Sequence, residues 1–247
     1  MQFELPPAVE LNNRMDNVLM AIYLLFNEGY NATQHDELIR KALMEEALRL
    51  CELICRSPSV NHSNAHALMA LIFFTASRNE VRQDADGNIL LLKQQDRTNW
   101  NKQLIRKGIH HLEASAEGEA ISKYHLEAGI AYEHAKAKDY LATNWINILQ
   151  CYNLLCKFYA SPVVELDRAI VISEMNGPAA GIKAIEGISQ IAVLKKYYLL
   201  PATLGDLHLQ LGHAAIARQY FADAITLTQS AAEKKLLEQK IYDATID

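Results

Sequence analysis

Between Leu204 and Ala224 the chain reads LGDLHLQLGHAAIARQYFADA, and this stretch constrains the fold more than any other. Gly205 and Ala217 carry almost no side chain, so two helices can approach closely at those points. Phe221 fills the groove beside them, and Ala224 keeps the next turn thin. Gly212-His213 falls midway, where a first helix ends with glycine just beyond it. The segment therefore predicts two antiparallel helices, Tyr197 to Leu211 and Ala214 to Leu227, crossing at small residues.

A weaker copy lies upstream. Ala169, Ile172, Gly181, Ile185 and Ile188 repeat the spacing of Gly205, His208, Ala217, Phe221 and Ala224, with Ala169 standing 36 positions before Gly205. Asn176-Gly177-Pro178 supplies the turn, glycine closing one helix and proline opening the next. Leu204-Gly205, His208, Ala217, Phe221 and Ala224 also occupy the offsets of a tetratricopeptide repeat, whose period is about 34 residues. Trp145, Ile148 and Tyr152 match the positions of its first helix. Such units need stacked neighbours, because one alone cannot bury its apolar face. The expected architecture is all-α: antiparallel hairpins stacked as a tetratricopeptide-like right-handed solenoid.

The rest of the chain reads mainly as helix. Leu11, Met15, Val18, Leu19, Ile22, Leu25 and Phe26 form one stripe, and Gly29 is read as its left-handed cap. Leu43, Ala47, Leu50 and Ile54 mark a second helix. Ala67 to Ala76 is a buried third. Asp84-Ala85-Asp86-Gly87-Asn88 then predicts a small hairpin or ordered loop near 83–95. Its glycine is misplaced for a calcium loop, and Gln95 stands where the last ligand would be. Asp96 is read as the cap of a helix carrying Trp100, Ile105 and Ile109, and Thr143 as the cap of the helix bearing Trp145. Ser230 caps a last helix whose Glu233, Lys234, Lys235, Glu238 and Lys240 suit a solvated face. This divides the chain into an N-terminal helical subdomain, 1–120, and tetratricopeptide-like repeats with a capping helix, 121–247.

Composition narrows function. The 247 residues carry a net charge of −5 with only paired lysines as basic clusters, which disfavours direct nucleic-acid binding. No apolar run approaches the ~18 residues of a membrane span. The start lacks a signal core, so a cytoplasmic protein is expected. Four cysteines lie inside helix-patterned segments and read as free thiols. No phosphate-binding glycine loop, nucleophile elbow or metalloprotease motif occurs, so no catalytic residue, cofactor or metal is expected. His62 and His66 have the spacing of a metal pair, but no further ligand stands at a suitable spacing, and they read as a solvated face.

Tyr23 to Tyr30, YLLFNEGY, concentrates aromatic and hydrogen-bonding side chains at one helix end. With Glu46-Ala47-Leu48-Arg49-Leu50 it resembles the C-terminal region of extracytoplasmic-function RNA polymerase sigma factors that carry a tetratricopeptide-like extension. The likeness continues through Asp84-Ala85-Asp86-Gly87, Gln95-Asp96-Arg97 with Trp100, Ser161-Pro162-Val163-Val164-Glu165-Leu166, Gly177-Pro178-Ala179-Ala180-Gly181 and Tyr198-Leu199-Leu200-Pro201-Ala202. Asp167 and Asn176 depart from the family pattern, which has Asn and Asp there. The promoter-binding regions of such factors are not recognisable, so the chain reads as an excised C-terminal domain or a protein that lost the DNA-binding part. The resemblance implies a non-catalytic regulatory domain that contacts the sigma core regions or RNA polymerase. Tyr23, Asn27, Glu28, Tyr30, Asp96, Arg97 and Trp100 are the candidate contact or organising residues, and Leu204, Gly205, Ala217, Phe221 and Ala224 the packing residues. Two other readings stand beside it: a free-standing adaptor binding a protein or peptide, and an all-helical small-ligand sensor.

Overall fold

A computed structural model describes residues 8–31, 40–57, 62–118 and 120–246, without the side chains of 8–13 and 246. The α-helices are α1 (Ala8–Tyr30), α2 (Lys41–Cys55), α3 (Ser63–Ala76), α4 (Lys102–Ser115), α5 (Lys123–Lys136), α6 (Trp145–Phe158), α7 (Pro162–Asn176), α8 (Pro178–Glu186), α9 (Leu199–Gln210), α10 (Ala214–Leu227) and α11 (Ala231–Ile246). Among the described residues there is no strand, and one isolated antiparallel bridge pairs Gln83 with Ile89. The fold is all-α, with neighbouring helices packed as hairpins. No described helix is long and apolar enough to cross a membrane.

The chain forms two compact units. The first holds α1 to α5 with the turn at 96–101, and the second holds residues 82–95 with α6 to α11. The sequence-based division at 120 differs from this. A side chain at Gly118 would strike Ser63 on α3, and α5 packs against α3 within the first unit. The segment 82–95 belongs with the second unit, where Asp84 builds the expected turn. Its Oδ1 accepts from the backbone N–H groups of Asp86 (2.9 Å) and Asn88 (2.8 Å), and Oδ2 from the Asn88 amide.

The small-residue crossings are in place. A Cβ on Gly205 would lie 2.5 Å from a Phe221 ring carbon, so α9 and α10 meet in van der Waals contact only because no side chain is there. Phe221, Ala217 and Ala224 are fully buried. Gly181 of α8 sits equally close to Ser173 of α7, and Ala169, Ile185 and Ile188 are buried with Leu207 and Leu166. Gly177 (φ 88°) and Gly212 (φ 77°) make the turns after α7 and α9 with left-handed backbone. The first unit uses the same device in reverse order: Phe74 on α3 carries the ring, and Gly108 on α4 leaves the space, 2.5 Å from it.

Four local expectations are corrected. Gly29 has no left-handed backbone and lies inside the last turn of α1. Glycine is needed there because a Cβ would come 2.8 Å from Met44 Cγ and 2.9 Å from its backbone nitrogen. Asp96 caps a short 3-10 turn, Arg97–Asn99, and α4 is capped by Asn101, which accepts from Gln103 and Leu104. Trp100 therefore precedes the helix. Asn144, not Thr143, caps α6, and Thr143 is buried. On α11, Ser230 caps as expected, yet two charges point inward. Glu233 is buried and accepts from Tyr198 (2.6 Å) and Thr228, while Lys240 bridges to Asp206 of α9 at 2.6 Å and covers the Phe221 ring.

Candidate functional site

α3 is apolar on every side and forms the centre of the first unit, with α1, α2, α4 and α5 packed on it. The residues singled out at the YLLFNEGY corner sit where α1 meets these neighbours. Tyr23 stands edge-on to Tyr124 of α5 at 5.7 Å, and the Lys123 ammonium lies 5.2 Å from its ring centre. Its hydroxyl bonds to Asn27 and Glu127. Burial first, then the Glu127 charge, pushes the Tyr23 phenol up, so it stays protonated and donates to Glu127. Burial raises the Glu127 carboxyl in turn. Glu28 makes a long, half-exposed ion pair with Arg40 at 3.9 Å. Tyr30 stacks on Phe26 at 5.8 Å and receives the Arg78 guanidinium over its ring at 5.6 Å.

Asp96, Arg97 and Trp100 form a second junction. Asp96 accepts from the Thr98 backbone and hydroxyl, which hold its carboxyl below the usual range. Arg97 is 3% exposed; Nη1 donates to the His134 carbonyl at 2.8 Å, and its guanidinium lies over the Trp100 ring at 5.4 Å. Asn101 N–H donates to the Ser77 carbonyl at 2.8 Å, tying the turn to the end of α3. The two junctions share one neighbourhood through Arg78 and His134. Burial first, then the charges of Arg97 and Arg78, depresses His134 to about 3, so it is a neutral ring at physiological pH. All seven residues are thus drawn into the first unit. Tyr23, Tyr30, Arg97 and Trp100 organise packing, while Asp96 shapes an exposed turn.

A further constellation escaped sequence reasoning. Cys55 at the end of α2, His66 in the first turns of α3 and His111 on α4 bring one donor atom each within 4.8 Å of one another. His66 Nδ1 and His111 Nδ1 are 2.8 Å apart. Contact with the Cys51 thiol lowers the Cys55 thiol against the opposing effect of burial, helped by a hydrogen bond from His111 and by the nearby His66. Contact with Cys55, and then burial, pushes Cys51 up, and its sulfur lies 3.4 Å from the Ala65 carbonyl oxygen. Burial lowers His66. His62 and His66 are therefore not the solvated pair that spacing suggested: His66 faces Cys55 and His111, and His62 Nδ1 is buried without a hydrogen-bond partner. Beside the cluster an open groove of about 470 Å³ is lined by Glu52, Met69, Phe73, Arg106, Lys107 and His111, among others. The signal was present only as three donor residues on separate helices, with the two histidines 45 positions apart.

Comparison with known proteins gives two likenesses. Residues 14–116 match DUF6596, a family of unknown function. An uncharacterized protein of Rhizobium meliloti (strain 1021) is 34% identical over 239 residues, which is 97% of this chain and 56% of the relative. The chain therefore spans about half the length of the curated relative it matches. No solved structure matches. The matched family region, 14–116, takes in α1 from Arg14, the aromatic corner, the turn at 96–101 and the Cys55, His66 and His111 cluster.

Proposed function

We propose that this chain is a non-catalytic, protein-binding regulatory domain of an extracytoplasmic-function sigma factor. The observation that carries the reading is the architecture itself. Helical hairpins closed at small residues form a surface-rich scaffold, in a chain that aligns nearly end to end with about half of a longer protein. The likeness of the YLLFNEGY corner and the other segments to such factors supports this reading. A net charge of −5 suits contact with protein better than with a phosphate backbone.

The surface offers apolar material for such a contact. On α6, Ile146, Leu154 and Phe158 are exposed, and Tyr159 follows them. Ile146 and Phe158 are about 60% exposed, unusual for large apolar side chains, and they suit a partner with an apolar ridge. In this reading the partner is the sigma core or RNA polymerase, and docking sets whether the factor initiates. The test is the full-length factor with this domain deleted, and with Phe158→Glu. Regulation through contact predicts altered promoter output and altered polymerase binding in both. Unchanged output and binding after deletion reject the reading. A free-standing adaptor of tetratricopeptide type would use the same surface, but its peptide partner would be captured without any effect of the domain on transcription.

A further inference from the structure

The geometry points to a divalent metal site of the zinc class formed by Cys55, His66 and His111. Three helices contribute one ligand each: α2 by its last residue, α3 near its start and α4 near its end. The donor set is one sulfur and two imidazole nitrogens with no carboxylate, which selects zinc and its borderline neighbours over calcium or magnesium. Tetrahedral bonds of about 2.3 Å to sulfur and 2.0–2.1 Å to nitrogen place ligand atoms roughly 3.3–3.6 Å apart. The three atoms already lie within 4.8 Å of each other, so small side-chain rotations suffice.

The present contact between the two imidazoles is the one such a metal replaces. Two neutral rings 2.8 Å apart through Nδ1 require one to donate and the other to accept. On binding, the donating ring's proton moves by exchange with solvent from Nδ1 to Nε2, which frees both Nδ1 lone pairs for the metal, and Cys55 binds as the thiolate with any thiol proton passing to solvent. Three protein ligands leave one tetrahedral position for water or an outside donor. His111 also lines the groove, so that position has solvent within reach. His62 stands beside His66, its ring perpendicular at 6.3 Å and its Nδ1 buried without a partner, and is a further imidazole near the site. A bound metal would clip the end of α2 to the start of α3 and to α4, around the same central α3 against which α1 packs. This site does not depend on the sigma-factor reading.

The experiment is metal titration of the purified, chelator-stripped chain. Zinc is followed by competition with a chromophoric chelator and cobalt by absorption. The site predicts one equivalent, a thiolate-to-cobalt charge-transfer band and the visible bands of a tetrahedral ion. Cys55→Ser should abolish the charge-transfer band, and Cys55→Ser and His111→Gln should each weaken zinc at least 10–100-fold, the loss typical of even outer-shell changes. Circular dichroism checks that each variant is folded. The exposed pair His208 and His213, 3.3 Å apart in the second unit, supplies the control. His213→Gln should leave affinity unchanged. No stoichiometric binding, cobalt spectra without a sulfur band, or loss of binding in His213→Gln but not in Cys55→Ser would each overturn the assignment.

Discussion

Gly205→Ala is the sharpest probe of the packing that makes this fold. The new methyl would lie 2.5, 2.6 and 3.1 Å from three carbons of the Phe221 ring, where carbon atoms settle at about 3.5–4.0 Å. The ring must withdraw by about 1 Å. It has nowhere to go, since Phe221 is fully buried among Ala217, Ala224 and Leu237, with Lys240 across its face. Overpacking of this kind costs about 1–3 kcal/mol. Alanine returns about 1 kcal/mol through helix propensity. With so little slack the upper part of the range applies, and a net loss of about 1–2 kcal/mol is expected. Hydrogen exchange by mass spectrometry, read on peptides from 199–227, isolates this hairpin from the other unit. Protection there should fall roughly 5–30-fold. Adding Phe221→Leu should recover part of the loss, giving a coupling of about 0.5–3 kcal/mol between the two positions. If Gly205→Ala raises protection, propensity alone governs the site and the close-approach argument is refuted.

Other expectations follow from the same structure. Gly187→Ala should stabilise by about 0.4–1 kcal/mol, because its backbone is right-handed and a Cβ meets nothing closer than 3.5 Å; urea unfolding measures it. Gly177→Ala, by contrast, adds no clash but forces alanine to φ 88° and ψ 166°, and should cost about 1–3 kcal/mol in the same assay. His134 binds its proton less readily folded than unfolded. Its contribution is therefore present above the unfolded value near 6.5 and is lost as pH falls from there toward 3, with a slope approaching 1.4 kcal/mol per pH unit. His134→Gln should flatten that part of the stability–pH curve relative to the parent, a comparison in which the opposing effect of the raised Glu127 carboxyl cancels. Tyr198→Phe removes a donor from the buried Glu233 carboxylate and should cost about 1.5–3 kcal/mol, read by thermal unfolding.

What could be read from the residues depended on how far the cause reached along the chain. The α9–α10 crossing was legible because Gly205, Ala217 and Phe221 lie within two helices and one turn. Gly177 and Gly212 were legible because a glycine between two helical stripes is a local signal. Gly29 shows the limit. A glycine needed for left-handed backbone and one needed for the approach of Met44 look identical in a sequence. Competing caps failed for a similar reason: Asp96 and Asn101 both cap, one a 3-10 turn and one α4, and only the path of the chain assigns them. The aromatic corner was located, but its character as a packing junction follows from α5 and Arg78, which the motif does not contain. The Cys55, His66 and His111 cluster was illegible because its spacing exists only once α2, α3 and α4 are packed.

The Phe74–Gly108 and Phe221–Gly205 crossings solve one steric problem with the partners exchanged. In one hairpin the ring comes first along the chain, in the other the vacancy does. A search for internal periodicity that fixes which helix of the pair bears the glycine will place these two motifs out of phase and miss their kinship. Searching for an aromatic disc seated against an absent side chain finds both. Tolerance to substitution therefore cannot be transferred between the hairpins by aligned position, only by which member of the pair a residue plays.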